Sequence, residues 1–85
     1  MKYRVGITEA ANRELDKLDP PLQRRLRAAM SALAYIPRPP GAIMLRGERE
    51  HWRIRVGDWR IIYTIEDDQL LVIVLQLGHR REIYR

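Results

Sequence analysis

Arg53, Arg55 and Arg60 lie in two stretches of extended character, His51 to Val56 and Trp59 to Glu66, separated only by Gly57-Asp58. A two-residue connection with Gly first suits a type II′ hairpin turn. That turn sets a register in which Val56 faces Trp59, Arg55 faces Arg60, Ile54 faces Ile61 and Arg53 faces Ile62. Side chains alternate along a strand, so Trp52, Ile54, Val56, Trp59, Ile61 and Tyr63 are predicted on one face and the three arginines on the other. Like charges directly across a strand pair repel, so an Arg55–Arg60 pair asks for an anion or a carboxylate between its members. Guanidinium groups are planar, permanently charged and well matched to phosphate. The chemistry on offer is phosphate binding and stabilisation of developing negative charge. A solvated outer face, with the arginines splayed into water, is the other reading of the same pattern.

A second cluster closes the chain: Gly78-His79-Arg80-Arg81-Glu82-Ile83-Tyr84-Arg85. His79 has a side chain that titrates near neutrality, and the Tyr84 phenol can stack on a base or pass a proton. His51, among charged residues ahead of a strand, is assigned to structure. The chain carries no Gly-rich phosphate loop, no Ser/His/Asp constellation and no His/Asp/Glu ligand set. With no cysteine, it offers neither a disulfide framework nor a thiolate zinc site. Neither metal nor cofactor is expected.

The remaining residues must build the frame that positions these groups. Eighty-five residues leave room for a single domain, 1–85. Lys2 to Ile7 alternates as a first strand. Thr8 can cap a helix running to about Leu18, with Glu9 in its first turn and Ala11, Leu15 and Leu18 as its apolar stripe. Asp19-Pro20-Pro21 ends that helix and can open a second one, whose apolar positions are Leu22, Leu26, Ala29, Met30, Leu33 and Ile36. Arg24, Arg25 and Arg27 fall mostly off its stripe. Pro37 to Gly41 is a loop. Met44 to Arg46 is a candidate strand start, Gln69 to Leu77 a strand after a tight turn at Asp67-Asp68, and Glu82 to Arg85 a last extended piece. The fold class is α+β: two helices from the N-terminal half packed on a curved antiparallel sheet, in the order β-α-α-β-β-β.

Sixteen Lys and Arg against eleven Asp and Glu leave a net charge of +5. Fourteen of the sixteen are arginine, a bias suited to phosphate, although genomic base composition enriches arginine too. Residues 1–43 carry +4 and residues 44–85 only +1, so the arginine face does not sit in the more basic half. The global charge serves mainly to draw the protein toward a polyanion. Met1 to Gly6 has no signal-peptide character, and the apolar run Leu70 to Leu77 is far too short to span a bilayer. A cytoplasmic protein with no membrane partner is expected.

Leu45-Arg46-Gly47, followed by Trp52-Arg53-Ile54-Arg55-Val56-Gly57-Asp58-Trp59-Arg60-Ile61-Ile62-Tyr63 and by Leu77-Gly78-His79-Arg80-Arg81-Glu82-Ile83-Tyr84, resembles the centre and ending of RelE/ParE-superfamily toxins. The resemblance covers essentially the whole chain. It implies a toxin of a type II toxin–antitoxin pair whose RelE-type members cut messenger RNA in the ribosomal A site, by metal-independent attack of a ribose 2′-hydroxyl. The implied catalytic set is Arg53, Arg55, Arg60, Arg80 and Tyr84, to which His79 is added as acid or base. Arg24, Arg25, Arg27, Arg46 and Arg81 are the candidate RNA and ribosome contacts. The implied partners are a cognate antitoxin, the ribosome with its RNA, messenger RNA and, together with the antitoxin, operator DNA. The alternatives within the superfamily are a non-enzymatic inhibitor of DNA gyrase and a weakly toxic antitoxin-binding co-repressor.

Overall fold

The computed structural model describes residues 2–47 and 50–79. Arg80, Arg81, Tyr84 and the expected extended piece at Glu82 to Arg85 lie outside the described residues. The element order is β1 (Arg4–Ile7), α1 (Glu9–Asp16), α2 (Pro20–Ala32), β2 (Ile43–Leu45), β3 (His51–Val56), β4 (Trp59–Glu66), a 3-10 turn (Asp67–Gln69) and β5 (Leu71–His79). The strands form one sheet in the order β1-β5-β4-β3-β2. Four of them form an antiparallel meander, and β1 joins β5 in parallel. The sheet is therefore mixed rather than wholly antiparallel. The two-helix connection carries the chain over one face of the sheet, so that β1 can enter alongside the last strand in the same direction.

Local chemistry explains where the helices start and stop. The Thr8 hydroxyl accepts a hydrogen bond from the Ala11 N–H at 3.2 Å and donates to the Leu75 carbonyl at 3.0 Å, capping α1 and tying it to β5. At the helix–helix junction the Gln23 side-chain amide donates to the carbonyls of Leu18 (2.9 Å) and Asp16 (3.4 Å), satisfying acceptors that α1 leaves open. Pro20 and Pro21 begin α2, where their missing N–H groups cost nothing. The helix ends at Ala32 and not beyond Leu33, because Pro37 biases Ile36 away from helical backbone. Ile36 is consequently exposed, although its spacing places it on the apolar stripe.

One core joins the helices to one side of the sheet: Ala11, Leu15, Leu26, Met30 and Leu33 against Ile54, Ile61, Tyr63, Val72, Val74 and Leu77. Trp52, Val56 and Trp59 pack at its margin, as the strand alternation predicts. Opposite β4, β5 carries an extra residue: Ile62 pairs with Gln76 but Tyr63 pairs with Val74, leaving Leu75 as a bulge. The bulge shifts the side-chain phase by one, so Val72 and Val74 before it and Leu77 after it all point inward. Among the described residues, no helix is long and apolar enough to cross a membrane.

A second set of contacts pins the far end of the sheet. Arg38 grips the Asp67 carboxylate with both terminal nitrogens, at 3.2 and 2.8 Å, and lies 5.0 Å from the Trp52 ring centroid. The Tyr3 hydroxyl donates to the same carboxylate at 2.6 Å, and the Tyr63 hydroxyl donates to the Pro37 carbonyl at 2.6 Å. Together these bonds hold the α2–β2 loop against β3 and β4.

Candidate functional site: an arginine-lined sheet face

The β3–β4 hairpin has the register that its turn dictates: Val56 opposite Trp59, Arg55 opposite Arg60, Ile54 opposite Ile61 and Arg53 opposite Ile62. Gly57 takes φ +62 while Asp58 has no positive φ, the pattern of a type II′ turn. A side chain at Gly57 would be strained by that φ, and its Cβ would also stand 3.3 Å from an Arg25 terminal nitrogen. Arg25 thus reaches from α2 over the tip of the hairpin.

Arg53, Arg55 and Arg60 share the sheet face away from the helices. They are not three solvated charges. Arg53 is 8% exposed and Arg60 6%, whereas Arg55 is exposed. Arg53 and Arg60 are therefore largely withdrawn from water, where a guanidinium charge carries a desolvation cost. Ile62 and Gln76 continue the same face, and Gly78 stands opposite Arg60 with no side chain to intrude on it. Gly78 went unnoticed as a site residue, because its position depends on the Leu75 bulge. The arrangement supplies closely set permanent cations on a face that a phosphodiester can approach through Arg55.

His79 lies elsewhere. It pairs with Trp59 across β4–β5, and the two rings meet edge to face with centroids 5.9 Å apart. Trp59 belongs to the core side of the sheet, so His79 is on the opposite side from the three arginines. Strand alternation sets it there: a residue one step beyond Gly78 turns to the other face, so the described fold does not bring His79 together with the three arginines.

The expected RNA and ribosome contacts are dispersed. Arg24 and Arg46 are exposed on α2 and after β2. Arg27 approaches the Asp16 carboxylate at 3.4 Å on the surface, an exposed pair of small energetic weight. Among the described residues, no three His, Asp or Glu side chains converge as a metal site would require.

Beside the arginine face runs an open groove of about 550 Å³. Its walls are Ala29 and Ala32 of α2, the Pro39-Pro40-Gly41 segment with Ile43, and the end of β3 from Arg53 to Val56. Neither the alanines nor the prolines carried any sequence signal for a site, since the groove exists only once α2 and the loop are packed beside β3.

Comparison with known proteins places these features in a family. The family model described as "ParE toxin of type II toxin-antitoxin system, parDE" matches residues 5–84. Toxin RelG of Mycobacterium tuberculosis is 34% identical over 90 residues, covering 100% of this chain and 99% of the relative. Among solved structures, the archaeal RelE–RelB complex from Pyrococcus horikoshii matches with a TM-score of 0.84 at 30% identity, over 96% of this chain and 99% of that one. The RelBE2 toxin–antitoxin complex from Mycobacterium tuberculosis matches at 0.82 and 29% identity, over 94% and 100%.

Proposed function

The chain belongs to the ParE toxin family of type II toxin–antitoxin systems, and from that membership we propose that it is a ribosome-dependent messenger-RNA endonuclease of the RelE kind. The observation that carries the proposal is the common face of Arg53, Arg55 and Arg60, set by the hairpin register. A gyrase binder has no chemical need for convergent guanidinium groups on one sheet face, whereas phosphodiester cleavage does.

In the proposed reaction the ribose 2′-oxygen attacks the adjacent phosphorus as its proton departs. The bond from phosphorus to the 5′-oxygen breaks, and that oxygen takes up a proton. The products are a 2′,3′-cyclic phosphate and a free 5′-hydroxyl. Between reactant and product the phosphoryl oxygens gain negative charge. Preorganised cations stabilise that charge most where water is scarce, as it is around Arg53 and Arg60. Arginine stays protonated below a pKa of about 12, so these residues act as charge stabilisers and not as bases. By family resemblance Arg80 adds a further cation and Tyr84 orients the nucleotide. His79, behind the sheet, is given no part in the chemistry.

A cognate antitoxin is proposed as the protein partner, because solved structures similar to this chain include complexes of RelE with RelB. A second reading, inhibition of DNA gyrase, is favoured by the family model that matches the chain, which is named for ParE. One paired experiment separates them: induce the protein, map messenger 5′ ends, and assay gyrase supercoiling with the purified chain. In-frame cuts within translated regions, lost in Arg60→Ala, are the expected result. Intact messengers with blocked supercoiling would establish the gyrase reading instead.

A further inference from the structure

Among the described residues, the edge of β3 is only half covered. β2 pairs with His51, Trp52 and Arg53 and goes no further. Before Ile43 the chain swings away through a turn closed by the Ala42 N–H and the Pro39 carbonyl at 2.9 Å. With a two-residue hairpin turn, Val56 and Trp59 form the hydrogen-bonded pair nearest the turn, so alternate residues on β3 aim their backbone groups the other way. His51 and Arg53 spend those groups on β2; Arg55 is next in the series, and its N–H and C=O face the groove. The groove has small side chains, Ala29 and Ala32, on the helix side, and its only charged lining residues are Arg53 and Arg55.

We propose that this groove receives an extended segment of the antitoxin, which adds to the outer edge of β3 in line with β2 and carries an apolar–acidic–apolar triplet. The proposal rests on the antitoxin reading above and goes beyond it in naming the place and the sequence pattern. An inserted helix would satisfy its own backbone and leave the Arg55 groups unanswered, whereas a strand answers them directly. Side chains of an added strand alternate between the two faces of the sheet. The residue level with Arg55 therefore points to the arginine face, where a carboxylate meets an exposed guanidinium. Its two neighbours point to the helix side, where Ala29 and Ala32 present methyl groups beside the Pro39-Pro40 wall and a branched apolar side chain fits. The segment spans the three residues Ile54 to Val56 that β2 leaves open, about 10 Å of strand. Its carboxylate would lie over the same face that the messenger needs, so occupation of the groove and cleavage exclude one another.

The test uses the full chain, labelled with 15N, and a synthetic peptide, acetyl-Thr-Val-Glu-Val-Thr-amide, as probe. Expected are chemical-shift changes centred on Arg55, Val56, Ala29 and Ala32, with slowed exchange of the Arg55 amide hydrogen. Arg55→Glu should weaken binding by about tenfold or more and regain it with the peptide whose centre is Lys. Ala32→Glu, at an exposed position outside the proposed catalytic set, should weaken binding of the Glu peptide while messenger cleavage is retained. Shifts centred elsewhere, no shifts at millimolar peptide, no reciprocal rescue, or the same shifts from raising protein concentration alone would each overturn the proposal. A chain that binds the peptide but cuts no messenger would defeat the nuclease reading and leave the groove assignment standing.

Discussion

Arg55 and Arg60 stand directly opposite one another across the β3–β4 ladder, one exposed and the other 6% exposed. The pair is a like-charge contact that a sheet would ordinarily avoid. In the proposed reaction this unequal burial divides the labour: Arg55 is the group an incoming anion would meet, and Arg60 the cation in a drier setting where charge is worth more. Arg60→Ala is therefore expected to raise the barrier to messenger cleavage by about 2–4 kcal/mol, roughly 30- to 1,000-fold in rate. Cleavage in a purified translation system, read by primer extension, measures it; a denaturation curve on the same variant separates lost chemistry from lost fold.

His79→Gln is expected to leave cleavage unchanged. What it removes is the edge-to-face contact with Trp59, so stability should fall by about 0.5–1.5 kcal/mol. Urea unfolding followed through tryptophan fluorescence reads the second effect. A cleavage loss of about a hundredfold would put His79 back into proton transfer.

Arg38 and Tyr3 hold the Asp67 carboxyl down at about 2, from an ordinary 3.8, chiefly through their hydrogen bonds. A depressed carboxyl pKa stabilises the fold above the unfolded value and loses that contribution as pH falls toward the folded one. Asp67→Asn should thus melt below the native chain at neutral pH, with the gap closing between about pH 4 and pH 2. Thermal melts across that range would show the two curves converging; a gap independent of pH would assign the loss to packing instead.

Burial pushes the Tyr63 phenol up to about 12, and its hydroxyl is committed to the Pro37 carbonyl. A raised tyrosine pKa adds stability below the unfolded value of about 10, which is lost as pH rises through the folded one. Spectrophotometric titration should show one tyrosine ionising about two units above the ordinary value, absent in Tyr63→Phe. The same substitution should cost about 1 kcal/mol by deleting the bond, and it should speed amide exchange in the Pro37–Gly41 loop that walls the groove.

The hairpin was legible from residue types because Gly57-Asp58 admits a single short turn, and the turn determines every pairing behind it. The helices were legible from their stripes, and Thr8 and the prolines marked their starts. β5 was legible as a strand but its facing was not, because Leu70 to Leu77 is apolar on nearly every position and hides the Leu75 bulge. The face of His79 was hidden for that reason: it depends on a one-residue slip that a uniformly apolar run does not announce. The parallel docking of β1 was hidden as well, since nothing in Tyr3, Val5 or Ile7 distinguishes a parallel from an antiparallel neighbour. The groove arises from packing between distant segments and has no local signature. Arg80 and Tyr84 owe their place in the proposed site to family resemblance.

β5, the last of the described strands to be made, is not at the rim of the sheet but inside it, with β1 on one side and β4 on the other. While the chain is being synthesised, β1 has no strand to lie against and α1 has no Leu75 carbonyl for its Thr8 cap. The sheet closes only when residues 71–79 have left the exit tunnel. An unfinished copy, still joined to the ribosome making it, lacks an inner strand of its own fold. The order of strands thus makes completion of the sheet wait on β5: β1 and the cap of α1 are secured only after the arginine hairpin has been made.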